Sequence, residues 1–507
     1  IWDYEDDTNT NKMSAIFAGI VVLVMIAYVI SVFMIHNIDN ESKIIGALYA
    51  LGYNQKELLK HFLRLPILVS LAGGVLGTII GFALASTQTG SSASYYSYGE
   101  VQYVYPLYLI VYGIVAPVLV TWAVNVLVIN KRLNCSPLQL LRKERKETNI
   151  SNVDLKNMKF INKFQIRQFM REFRGNITLF FGIFISILLM VFSFTIYSSI
   201  HNMTLHTTDD IKYQYMYTLK FPPDEVPENS ESAYTEGLYA YFNLLGSDLE
   251  TNLQGIQKDS QYFDFDVSDT AKDEVYISSS AQIKFGWKTG DTIVLKNNID
   301  NVSYALTVKG VVQYSNGLYV FMDIDAMRDL FNKEDDYFNT LLSNQELDIE
   351  SGRINNVITY DDIDAVADIF MNMMQDMIVM ILAISIVIFI IVMYLLLKLM
   401  IDKASFNISL IKIFGYNDKE VKKLYLNGNF YTVLATLIIG IPISRVIIDA
   451  IYPSLVTNVN AGMDLAWSFG MYVILIAIEL VTYAIIDFLL NRYLKKISLV
   501  EVLKDRE

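Results

Sequence analysis

The chain has 507 residues, 53% of them hydrophobic and only 18% charged, with a mean hydropathy of +0.35. That balance excludes an ordinary soluble protein and demands membrane spans of about 20 apolar residues each. The net charge is −13, but residues 201–373 hold 30 Asp and Glu against 11 Lys and Arg. An acidic chain of this kind also argues against a nucleic-acid partner.

In chain order, an acidic stretch, "DYEDD" at 3–7, sits within 1–13. It reads as the tail of a missing outer segment ahead of Ile1. The first apolar run is Ser14–Ile35, and 14–130 forms a three-span unit with Pro66–Ala85 and Leu107–Ile129. A linker at 131–176 follows. Its segment 161–176, "INKFQIRQFMREFRGN", alternates apolar and basic residues at helical spacing, so it predicts an amphipathic helix on the inner membrane surface. Ile177–Ile200 is a leading span, 201–373 an α+β domain, and 374–492 a second three-span unit. The spans of that unit are Met377–Met400, Phe430–Ile451 and Trp467–Leu490, and 493–507 is read as a cytoplasmic tail. The expected fold class is therefore an α-helical multi-pass membrane protein of seven spans, with an extracytoplasmic α+β domain.

Lys and Arg gather at 43–64, 131–174, 398–423 and 492–506 and are missing from 89–106 and 452–466. By the positive-inside rule the basic segments face the cytoplasm, the C-terminus included, and 201–373 faces outward. The Tyr-rich stretch 94–108 reads as an interfacial anchor. The single cysteine, Cys135, rules out a disulfide within the chain.

The two units share a phrase. "YALGYNQKELLKHF" (49–62) returns as "KIFGYNDKEVKKLY" (412–425), with identities at Gly52/Gly415, Tyr53/Tyr416, Asn54/Asn417, Lys56/Lys419 and Glu57/Glu420. Asp39 aligns with Asp402, and "SPLQLLRKE" (136–144) with "SLVEVLKDRE" (498–507). In the first phrase Ile44, Ile45, Leu48 and Leu51 have helical spacing. Gly52 fits a helix stop that needs positive φ. Asn54 with Glu57 makes a capping box, which Asn417 and Glu420 repeat. Both units thus encode helix, Gly stop, Asn cap, helix between two spans, at 42–60 and 405–423. A short capped element there suits docking to a two-fold symmetric partner. The plainer reading is a stable inter-span turn.

With "ALYALG" (47–52) and "LIKIFG" (410–415) in that place, the chain resembles the FtsX-like (MacB/LolC/LolE-type) permeases of ABC transporters. The family often has a charged residue about eight positions before the Gly, where Ile44 and Asn407 stand here. The run "EVYISSSAQIKFGWKTGDTIVLKN" (274–297), followed by 304–313 and 318–331, looks like the α/β lobe of MacB-type outer domains. The resemblance implies a permease subunit that moves an outer domain by mechanotransmission, driven by a cytoplasmic ABC ATPase dimer. Export or handling of peptide, lipid or lipoprotein, or control of a cell-wall enzyme, are the implied outputs. The implied contact residues are Ile44, Leu48, Leu51, Gly52, Tyr53, Asn54, Glu57, Ile408, Ile411, Phe414, Gly415, Tyr416, Asn417 and Glu420.

No phosphate-loop motif occurs, and "GWKTGDT" (286–292) has the wrong spacing. The expectation is no catalytic residue and no cofactor in this chain, with ATP and Mg held by the partner ATPase. The four His (His36, His61, His201, His206) lack metal-ligand spacing. Arg445, Asp449, Glu479 and Asp487 fall inside apolar runs, where ionisable groups carry a functional hypothesis. Glu479 could pair with Arg445 on the neighbouring helix, as a helix-holding pair or as part of a proton relay, while Asp449 and Asp487 lie near the interfaces. The acidity of 201–373 fits a cationic ligand or solubility alone. A non-transporting sensor or scaffold that binds an outer ligand is the alternative function, and an ion-driven transporter using Glu479 a third.

Overall fold

A computed structural model describes residues 2–95, 104–134, 167, 170, 173–244, 246–425, 427–457 and 459–495. The elements run α1 (Trp2–Asn40), α2 (Ser42–Ala50), α3 (Gln55–Tyr95), α4 (Leu107–Leu133), α5 (Phe173–Asp209), β1 (Tyr215–Leu219), β2 (Ser230–Phe242), β3 (Ser247–Ile256) and β4 (Glu274–Ser278). They continue as α6 (Ser279–Phe285), β5 (Thr292–Asn297), β6 (Val302–Val312), β7 (Tyr319–Asp323), α7 (Ile324–Phe331), β8 (Thr340–Ser343), β9 (Ile354–Thr359), α8 (Tyr360–Ile413), α9 (Asp418–Tyr425), α10 (Asn427–Leu455) and α11 (Phe469–Lys495). Among the described residues, seven helices are long and apolar enough to cross a membrane. Cys135, most of the expected amphipathic helix at 161–176 and the tail beyond 495 lie outside the described residues.

Two compact units divide the chain. One comprises 1–14, 194–378 and 449–468; the other comprises 15–193, 379–448 and 469–507.

The first unit is built on a nine-stranded sheet in the order β3-β7-β4-β6-β5-β2-β8-β1-β9, in which β2 also pairs with β3. That extra pairing closes six strands into a small barrel, so those strands have no free edge. Strand β2 is long enough to serve both parts: Ser230–Ala233 pair with β8, and Tyr234–Phe242 pair with β3. The barrel interior is filled by Tyr234, Leu238, Leu253, Val275, Ile277, Leu295, Leu306, Val320 and Met322, all buried. Alternation along β5, with Ile293 and Leu295 buried and Thr292 and Val294 exposed, is what one inward face requires. The sequence run 274–297 folds as read: strand β4, helix α6 capped by Ser278, a turn at Gly290, then strand β5.

The helical unit carries the two sequence repeats. In the first, the run from span to capped element breaks only at Glu41, between α1 and α2. In the second, α8 runs unbroken for 54 residues, so 405–413 continues the span helix. A separate short helix thus precedes the glycine of the helical corner in the first repeat, α2, and follows it in the second, α9, while 405–413 belongs to the span helix. Ile401, Ala404, Ile408 and Ile411 keep an apolar stripe at helical spacing through 401–413, and propagation of an existing helix needs no new nucleus.

Candidate partner-docking site

Each corner is set by local backbone chemistry. Gly52 has φ +95° and Gly415 φ +92°. A Cβ at either position would meet nothing within 4 Å, so left-handed backbone alone calls for glycine there. The amide of Gly52 donates to Tyr49 O (3.0 Å) and that of Tyr53 to Leu48 O (3.1 Å). Gly415 to Lys412 O (3.0 Å) and Tyr416 to Ile411 O (3.4 Å) repeat the pattern. This is the Schellman closure, which satisfies carbonyls a helix end leaves over. The caps follow at once. The Asn54 amide donates to Glu57 Oε2 (3.0 Å), and the Asn417 amide to Glu420 Oε2 (2.9 Å). In the second corner the box closes reciprocally, with the Glu420 amide donating to Asn417 Oδ1 (3.0 Å).

The inner side of the first corner is apolar. Ile45 and Leu58 join Met34, Ile38, Phe62, Ile129 and Leu133 in one buried cluster, with Tyr49, Leu59 and Val126 packed against it. In the second corner Ile408, Val421 and Leu424 are buried, as are Leu490 and Leu494 on α11.

Polar pins then tie each corner to its own third span, and their chemistry differs between the repeats. Asp39 accepts from Arg132 Nε at 2.7 Å, whereas its counterpart Asp402 accepts from Tyr493 OH at 2.7 Å. Tyr49 OH donates to Leu133 O (3.0 Å); at the equivalent place Lys412 Nζ donates to Leu494 O (3.2 Å) and also pairs with Asp418 (3.1 Å). Gln55 Nε2 donates to Asn130 Oδ1 (2.8 Å) in the first corner. Lys422 pairs with Asp487 (2.6 Å) in the second. Leu59 and Val126, the matching positions of the first repeat, are apolar.

What remains free is a narrow apolar tip. Leu51 is 77% exposed and Phe414 73%, each immediately before its glycine, and Tyr53 and Tyr416 follow outside it. Ile44 adds to the first tip, and Ile413 to the second. Among the sequence-derived contact residues, Ile408 is fully buried and faces the chain's own interior, and Leu48 and Ile411 are half-buried. Asn54, Glu57, Asn417 and Glu420 are exposed, but they serve in the caps. Periodicity located the apolar face of each helix without separating the core-facing half from the free half. The pins Asp39–Arg132, Asp402–Tyr493, Tyr49, Lys412 and Lys422 went unseen because each joins residues far apart in sequence.

The ionisable groups in the spans fall out differently from expectation. Glu479 is fully buried and neither carboxylate oxygen accepts a hydrogen bond, so the expected bond with Arg445 is not formed. Span boundaries do not fix how far each helix is rotated about its axis, and the α11 face carrying Leu475, Glu479 and Ile486 turns inward. Arg445 and Asp449 are half-buried. Asp487 is a pin of the second corner through Lys422, not an idle interfacial charge. Among the described residues no group of His, Cys, Asp and Glu is placed to hold a metal ion.

A model of the FtsX-like permease C-terminal family matches residues 15–137 and 379–499. The two matched stretches take in both corners, with their glycines, caps and polar pins. No curated protein matches the chain.

Proposed function

We propose a function from one premise: both three-span units of this chain belong to the FtsX-like permease family. The chain is then a permease subunit of an ABC transporter, and such subunits partner with a cytoplasmic ABC ATPase. In our reading, closure of that ATPase dimer pushes on the corners at Gly52 and Gly415, and the spans carry the push to the sheet domain at 201–373. The corners and the C-terminus face the cytoplasm, and the sheet domain faces outward. ATP and Mg sit on the partner. The cargo is a peptide, lipid or lipoprotein, or the output is control of a cell-wall enzyme.

One observation supports this reading above the others. Two corners of the same construction, each pinned to its third span, present their most exposed apolar side chain at the tip, Leu51 and Phe414, with Ile44 and Ile413 beside them. A corner that only joined two spans would gain nothing from an exposed Leu or Phe there. A rigid tip with one apolar knob fits a shallow groove, where a buried anchor supplies most of the binding energy. A mechanical input also needs differential contact between two states of the partner, and a pinned corner passes displacement on instead of absorbing it.

The test is co-purification from native membranes. Wild-type chain should bring a cytoplasmic ATPase with it, and Leu51→Asp combined with Phe414→Asp should lose it while the chain stays folded. Retention of the ATPase by the double variant contradicts the reading.

A further inference from the structure

The connection between α10 and α11 lies between two spans in sequence, yet residues 449–468 group with the sheet domain in one compact unit. Lys284, on the last turn of α6, explains part of this. Its Nζ donates to three backbone carbonyls at once: Val456 (2.9 Å), Thr457 (3.0 Å) and Val459 (2.5 Å). These oxygens follow directly on the end of α10 at Leu455, where carbonyls lack intrahelical partners and the helix dipole is negative. Among the described residues no carboxylate takes part. The ammonium also lies 5.0 Å from the Phe242 ring centroid. Burial pulls the pKa of the Lys284 ammonium down to about 8.

A second contact sits one turn back on α6. The Gly462 amide donates to Ser280 Oγ at 2.7 Å, and Ser280 is buried. A Cβ on Gly462 would fall 2.1 Å from Ser280 O, so the two backbones touch with no room for a side chain. The far end of the connection is tied to α5: Ser198 Oγ (2.6 Å) and Asn202 Nδ2 (2.8 Å) both donate to Ala466 O. Helix α6 itself is part of the sheet domain, opening directly after β4 and packing Phe285 against the barrel core.

We infer that the α10–α11 connection, seated on α6 by Lys284 and Ser280, is a strut through which α10 moves the sheet domain. The inference rests on the permease reading above and adds a second route to it. The covalent links into the sheet domain are α5 and α8, and α8 itself ends at the second corner; this route leaves the same corner on its other side, through α9 and α10. Lys284 acts as a positioning residue. Its three bonds lock the end of α10 to α6, so that a tilt of α10 cannot be taken up by a slack loop.

Three variants test it by different means: Lys284→Met removes the donor and keeps the stem, Ser280→Ala removes the second acceptor, and Gly462→Ala forces the backbones apart. Hydrogen exchange of 456–463 in the full chain, reconstituted with its ATPase, reads the seating. Exchange should rise at least tenfold in each variant, tenfold being about the worth of one lost hydrogen bond. Spin labels at Ile299, exposed in the sheet domain, and at Lys419 in the second corner read the nucleotide-driven distance change. The change should be present in wild type and reduced at least by half in all three variants. Unchanged exchange, or freed loops with the distance change intact, overturns the strut. A wild type that couples to no ATPase and shows no distance change overturns the permease reading, and the strut with it.

Discussion

Tyr49 and Lys412 stand at the same position of the two corners, 363 residues apart, and each donates a hydrogen bond to the last-turn carbonyl of its own third span. The phenol of Tyr49 reaches Leu133 O at 3.0 Å, and the ammonium of Lys412 reaches Leu494 O at 3.2 Å. A neutral donor and a charged one thus hold the same joint. Lys412 also holds Asp418 across the turn, so the second joint is the more heavily braced. Tyr49→Phe should cost about 1 kcal/mol, an ordinary hydrogen bond, and Lys412→Met about 1.5–3 kcal/mol, as for a charged donor. Thermal unfolding of the two variants in one detergent checks the order; equal losses contradict it.

The glycines give a cleaner test, because no neighbour crowds either position. Only backbone conformation is at stake, at about 1–2 kcal/mol for an L side chain in the left-handed region. At both Gly52 and Gly415, substitution by Asn should cost least, Ala more and Val most. Partner ATPase coupling should fall in the same order while the sheet domain stays folded. Val tolerated as well as Asn would mean that the corners do not need this geometry.

The Lys422–Asp487 pair is half-buried, with side chains 29% and 19% exposed. Its counterparts in the first repeat, Leu59 and Val126, pack against the same apolar cluster. Removing one partner leaves a half-buried charge, so Lys422→Leu or Asp487→Val alone should cost about 1–3 kcal/mol. Both changes together reproduce the first repeat and should return to within about 1 kcal/mol of wild type. A double variant worse than either single one would show that the two corners are not mechanically equivalent.

Glu479 makes no hydrogen bond through either oxygen. Glu479→Gln therefore removes no partner, and assembly and melting temperature should not fall. Any loss of transport with stability intact would assign the carboxyl a part in function. A marked loss of stability would contradict the unpartnered arrangement.

Acid should act at the entry to α8. There Thr359 and Asp362 form a closed cap: the Thr359 amide and hydroxyl donate to Asp362 Oδ2 (3.0 and 2.7 Å), and the Asp362 amide donates back to Thr359 Oγ1 (3.0 Å). The Thr359 bonds hold the Asp362 carboxyl below the usual carboxylate range. A carboxyl depressed in the folded state lends stability above its unfolded value of about 3.9, and loses it as pH falls through the lower folded value. Melting of wild type should drop more steeply than melting of Asp362→Asn as pH falls below about 4. Parallel curves would exclude the cap as an acid-sensitive element.

The sequence was most legible where chemistry is local. Gly52, Asn54 and Glu57 act within six residues of one another, and both the positive φ and the returning Glu hydrogen bond follow from residue type and spacing. The seven spans were equally plain, because length and hydropathy are local properties. Long-range pins were not: nothing near Lys412 in sequence announces Leu494, and the repeats disguise the joint by using Tyr in one copy and Lys in the other. The Glu479–Arg445 pairing failed for a related reason, since two helices known only by their boundaries have free rotations. Ile408 shows the same limit at smaller scale, a face correctly called apolar whose direction tertiary packing decides.

The measurement that bears most directly on the whole account is site-specific cross-linking in native membranes, from a photoreactive residue at Leu51 and, separately, at Phe414. The account predicts that each traps the same cytoplasmic ATPase, with yields that change when nucleotide closes that partner. Trapping from one corner alone, labelling of either tip by a reagent confined to the outside, or adducts indifferent to nucleotide would contradict it.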